Sequence, residues 1–94
     1  MPTSPLIDQA LYERARIAFS RRAWGEARHH LDALAALGAS SLTEPGRYLA
    51  CRVAVEAHDS DARRCLIDYR ASYPSSPHDA DAREMLARLP KDPK

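Results

Sequence analysis

Apolar side chains recur along this chain at intervals of three and four residues, with polar residues filling the gaps. Leu11, Ala15 and Ala18 share one side of a helical wheel, which predicts a first helix near residues 6–21. Trp24, Ala27, Leu31, Leu34 and Ala35 form the next arc, closed by Gly38 in a position suited to a C-terminal cap. Thr43-Glu44-Pro45 places a capping hydroxyl before a first-turn proline, and Leu49, Ala50, Val53 and Ala57 continue as a third helix to His58. Asp59-Ser60-Asp61 is a polar break with capping side chains. Ala62, Cys65, Leu66, Tyr69 and Tyr73 then define a fourth helix that Pro74 stops. Ser76-Pro77 repeats the cap-then-proline start for a fifth, carried by Ala82, Met85, Leu86 and Leu89 and ended by Pro90. The connections are short enough to fold the first four helices into two antiparallel hairpins, about 6–38 and 44–73, with a capping helix at 77–89 and a frayed tail at 90–94.

Composition narrows the reading. Seventeen alanines against three glycines favour helix over strand, and 94 residues allow a single domain. Net charge is +1, with five positive and four negative groups in residues 1–43 and nine of each in residues 44–94. Such a balance lacks the basic field that nucleic acid or an anionic membrane requires, so neither is an expected partner. Arg21, Arg22, Arg28, His29 and His30 remain the one candidate phosphate-binding patch. Cys51 and Cys65 are too few for a disulfide framework and lack metal or redox spacing, so nothing demands an oxidising compartment. No run of apolar residues is long enough to cross a membrane and the amino terminus has no secretory pattern, which together predict a cytoplasmic protein.

The strongest signal is internal repetition. Setting Trp24-Gly25-Glu26-Ala27 against Asp59-Ser60-Asp61-Ala62 aligns the two hairpins at a spacing of 35 residues. Ala15 then matches Ala50, Ala18 matches Val53, Ala27 matches Ala62 and Leu31 matches Leu66. Small residues thus recur at Ala15 and Ala27 and again at Ala50 and Ala62, with a large apolar residue, Leu31 or Leu66, in the second helix and Pro74 after the second unit. This pattern resembles the tetratricopeptide repeat, and Tyr73-Pro74-Ser75-Ser76-Pro77 is similar to the repeat junction of its bacterial members. Ala39 stands where that proline is usual in the first unit, and Leu11 and Gly46 occupy the early aromatic sites. The resemblance implies an all-α, right-handed five-helix solenoid whose concave face binds another protein.

On the first helix, Tyr12, Arg16 and Phe19 form a stripe about 100° from the Leu11–Ala15–Ala18 arc. The third helix has a second stripe containing Arg47, Cys51 and Val55. The family's inner-face positions, carried over residue by residue, select Gln9, Tyr12, Arg16, Phe19, Arg47, Cys51 and Val55. Arginine forks onto carboxylates and stacks on aromatics, so this stripe suits an amphipathic helix or extended segment offering an apolar anchor and a carboxylate. No catalytic, metal or cofactor site is expected: His29 and His30 point apart on their helix, and Asp59 and Asp61 read as caps. The expectation is a non-enzymatic adaptor, with a homodimer contact or an obligate partner covering the apolar surface that two and a half repeats leave bare. The alternatives are a dedicated chaperone of an assembling or secreted subunit and weak RNA or phosphate binding through Arg21, Arg22 and Arg28.

Overall fold

A computed structural model describes residues 5–38 and 41–89 of the chain. The lead at residues 1–4, positions 39 and 40, and the tail from Pro90 lie outside the described residues. Five helices follow one another: α1 (Pro5–Ser20), α2 (Trp24–Ala36), α3 (Thr43–Glu56), α4 (Ala62–Ser72) and α5 (Asp79–Arg88), with no strand among the described residues. Gly38 ends α2 at φ +95°, a conformation in which a Cβ would be strained. Pro45 lies in the first turn of α3, where its missing N–H costs no bond.

Each helix packs on its successor, and α1 also touches α3. One apolar cluster joins Ala15 and Ala18 of α1, Ala27, Leu31 and Leu34 of α2, and Leu49 and Val53 of α3. A second joins Cys51 of α3, Leu66 and Tyr69 of α4 and Ala82 of α5, with half-buried Tyr48, Val55, Met85, Leu86 and Leu89 packed around them. The α3 backbone approaches α2 so closely at Gly46 that a Cβ there would lie 2.9 Å from Leu34 Cδ2. Leu34 thus fills the place expected for an aromatic residue. Ala35, expected on the buried arc of α2, is exposed.

The turns after α1 and α3 are built alike. Arg22 and His58 adopt left-handed φ values of 62° and 57°. The N–H groups of Ala23 and Asp59 each close at 2.8 Å onto carbonyls five residues back, those of Ala18 and Ala54. These matching turns are 36 residues apart, which corrects the uniform spacing of 35. At 36, Ala15 corresponds to Cys51 and Ala18 to Ala54, and all four are buried. The second helices keep the spacing of 35, since buried Ala27, Leu31 and Leu34 correspond to buried Ala62, Leu66 and Tyr69. One residue therefore enters between the first helices and is lost again in the turn after α3. Leu49 and Val53 consequently face the first helix pair, and it is Cys51 that faces α4.

Cys51 and Cys65 are joined by a disulfide with Cα atoms 5.5 Å apart and a sequence separation of 14, so a single bridge forms where their number and spacing pointed to no disulfide framework, and Cys51 is removed from the expected binding stripe. Two lone cysteines on successive helices carried no pairing signal, because their meeting depends on the rotation of α3. Closing so short a loop should stabilise the fold by about 3 kcal/mol, chiefly by restricting the unfolded chain. Urea unfolding of the oxidised and the dithiothreitol-reduced protein measures this, and reduction should lower the midpoint while leaving the helical spectrum in place.

Candidate functional site

The seven residues expected to form one stripe fall into separate environments. Gln9 and Arg16 are exposed on α1, and Arg16 Nη1 lies 3.2 Å from Glu13 Oε2 within the same helix. Tyr12 and Phe19 are half-buried against the first cluster. Phe19 meets Trp24 edge-on at 5.3 Å between ring centres, and the Arg52 guanidinium sits 4.8 Å above its ring, a cation–π contact. Val55 packs against the second cluster. Cys51 is 2% exposed and covalently occupied, so it offers nothing to a partner. Arg47 is exposed but lines a different surface, between α2 and α4. A one-residue shift turns a helix by about 100°. With α1 and α3 in register at 36, Tyr12, Arg16 and Phe19 correspond to Tyr48, Arg52 and Val55, and Arg47 and Cys51 rotate out of that set.

Arg47 belongs to the groove that α3 leaves between α2 and α4, with a volume of about 460 Å³. Its floor is apolar, made by Leu31, Leu34, Ala50 and the Cys51–Cys65 bond, and Asp32 and Asp68 stand on opposite sides. Arg47 engages no ion pair among the described residues. Tyr69 forms one wall, and its position is set by polar contacts at the other end of its ring.

There, Glu44 of α3 receives three hydrogen bonds on a single oxygen, Oε2. Tyr69 donates its hydroxyl in a short contact, Ser76 donates its hydroxyl at 2.8 Å, and His78 Nδ1 lies at 2.9 Å. Ser76 Oγ also accepts the His78 N–H at 2.9 Å, and the Tyr48 ring stacks on the His78 imidazole 4.1 Å away. A carboxylate, a serine and a histidine are thus assembled, yet the serine hydroxyl donates to Glu44 and not to the imidazole. That arrangement lacks the serine-to-histidine hydrogen bond of a Ser-His-acid relay. Its evident effect is to tie the α4–α5 loop to the start of α3. In the sequence Ser76 shows only as a cap and Glu44 as part of a helix start, and no spacing brings them together with His78.

Other ion pairs brace further helix junctions. Arg28 Nη2 meets Asp59 Oδ2 at 2.7 Å, linking α2 to the α3–α4 turn, and Arg70 Nε meets Asp79 Oδ1 at 2.8 Å between α4 and α5. Asp59 Oδ1 accepts the Asp61 N–H at 2.9 Å, so its expected local turn role accompanies a longer-range one. His29 and His30 lie ring-edge to ring-face on α2, with His30 Nε2 3.8 Å from Glu26. Comparison with protein-family models, curated proteins and solved structures finds no match to this chain.

Burial alone would raise the Glu44 pKa, but the bonds from Tyr69, His78 and Ser76 outweigh it and hold the carboxyl below its ordinary value. Burial, reinforced by Glu44, pushes the Tyr69 phenol up, keeping it a donor. A carboxyl with a depressed folded-state pKa stabilises the fold above its unfolded pKa, and this stabilisation fades as pH falls through the folded value. Glu44→Gln should therefore cost about 1–2 kcal/mol at neutral pH. Between about pH 5 and pH 2 the stability of the wild type should fall toward that of the variant. Thermal melts of both proteins across that range check the convergence.

Proposed function

We propose that this chain is a non-enzymatic protein-interaction module of tetratricopeptide-like architecture. It captures a short segment of another protein in the groove flanked by α2 and α4. The observation that carries this reading is the apolar-floored groove of about 460 Å³ with Arg47, free of any ion pair among the described residues, at its edge. An apolar anchor would bury against Leu31, Leu34 and Ala50, and a carboxylate beside it would meet Arg47, whose planar fork donates two hydrogen bonds to a carboxylate. The site thereby moves from the α1–α3 stripe, where Cys51 and Val55 are consumed by internal packing. Arg28, the central cation of the phosphate alternative, is engaged by Asp59, which weighs against RNA or phosphate binding.

No helix among the described residues is long and apolar enough to cross a membrane. The Cys51–Cys65 bond favours an oxidising setting over the cytoplasmic one expected from the sequence, since structural disulfides persist where thiols are not kept reduced.

Selection of a random peptide library on the oxidised protein tests the groove. Enriched peptides should pair an apolar residue with Asp or Glu. Arg47→Glu and Ala35→Trp, the latter filling the groove from an exposed position, should each weaken binding about tenfold or more, equivalent to about 1.4 kcal/mol. Tyr12→Ala should leave it unchanged. Peptides insensitive to both groove substitutions would place the site elsewhere.

A further inference from the structure

The two walls of the groove carry charge that the fold leaves unused. Asp32 on α2 and Asp68 on α4 line it from opposite sides, both are exposed, and neither enters an ion pair among the described residues. Neighbouring charges on the same helices are engaged. Arg28, four residues before Asp32, turns away to Asp59 at 2.7 Å, and Arg70, two residues after Asp68, reaches Asp79 at 2.8 Å. Arg64, one turn before Asp68, makes no ion pair with it. In the 35-residue register of the second helices, Asp32 corresponds to Ile67 and Asp68 to Ala33, so neither carboxylate belongs to the repeated pattern. They stand only where the two walls converge. With Arg47, the lining holds two negative charges to one positive, although the chain as a whole is +1.

We propose that the groove's guest is a net-basic segment of another protein, with an apolar anchor, one carboxylate for Arg47, and a lysine or arginine toward each wall for Asp32 and Asp68. This rests on the groove being the binding site. An apolar residue settling on the floor displaces water from the rims, which lowers the effective dielectric and strengthens every charge interaction there. A segment offering acid alone would meet Arg47 while being repelled from both walls. A lysine or arginine instead lays its aliphatic stem along apolar surface and extends its head to a carboxylate. Rim charges of this kind decide which partners are accepted, and how fast they arrive, more than how tightly they hold. Asp32 and Asp68 are thereby specificity-determining residues that turn away wholly acidic segments.

Random-peptide selection on the oxidised protein at low salt, where exposed charges are least screened, supplies the probes. Peptides that lose binding on Arg47→Glu and Ala35→Trp are seated in the groove, and these should carry more Lys and Arg than Asp and Glu. Asp32→Asn and Asp68→Asn, both at exposed positions, should each weaken one such peptide about threefold and together about tenfold, mainly through the association rate. Asp68→Lys should weaken it further, and exchanging one particular basic residue of the peptide for Glu should recover most of that loss. Groove-seated peptides without the basic excess, or indifferent to both asparagine substitutions, overturn the charge assignment and leave the groove standing. Peptides that ignore Arg47→Glu and Ala35→Trp, or a library from which nothing is enriched, overturn the groove and the assignment with it.

Discussion

Helix α3 is packed on two sides, and its rotation about its own axis governs most of what the molecule presents. Gly46, Leu49 and Val53 face the first helix pair, while Cys51, Tyr48 and Val55 face α4 and α5. A helix committed on both sides has no freedom to turn, because any rotation would expose one apolar set in order to bury the other. Gly46 permits the close approach to Leu34, and the disulfide to Cys65 locks the opposite side. The two apolar clusters are contributed by different faces of one helix, so they are mechanically joined through it.

That constraint also separates what was legible in the sequence from what was not. Five helices and their approximate limits followed from period and punctuation, since Leu31 and Leu34, Leu66 and Tyr69, and the stops at Gly38 and Pro74 act locally. Helix α5, however, begins at Asp79, past the expected Ser76-Pro77 start, and the N-caps of α4 and α5, Asp61 and His78, make no side-chain cap bond. The rotation of α3 did not follow. Matching Trp24–Ala27 with Asp59–Ala62 aligns the second helices correctly, and extending the same spacing to the first helices pairs Ala15 with Ala50. Both residues are small, so side-chain size could not expose the slip. Of the left-handed residues that mark the true spacing of 36, Arg22 carries no sequence signature for that conformation and His58 only the modest enrichment of histidine there.

The candidate site shows the same division. The chemistry expected of Arg47 depends on its being solvent-exposed on α3, and this holds; its neighbours do not, because a turn of about 100° exchanges Tyr12 and Phe19 for Leu34, Ala50 and Asp68. The Glu44 network was invisible for a different reason. Its members are 25 to 34 residues from Glu44 along the chain and meet only after α4 and α5 have packed. Once formed, it orients Tyr69, which is both a buried core residue and a wall of the groove. Fold and groove are therefore set by the same contacts, and the groove's floor includes the disulfide that holds α3 to α4.

Native-state hydrogen exchange across a denaturant series measures the pivotal role of α3 most directly, since helices held by tertiary packing open only with the whole molecule whereas peripheral ones open locally. The amides of Leu49 through Ala54 should exchange at the full free energy of unfolding, above those of the α1 start and the α5 end. Equal or lower protection in α3 than in α1 and α5 would contradict its place as the helix on which both clusters depend.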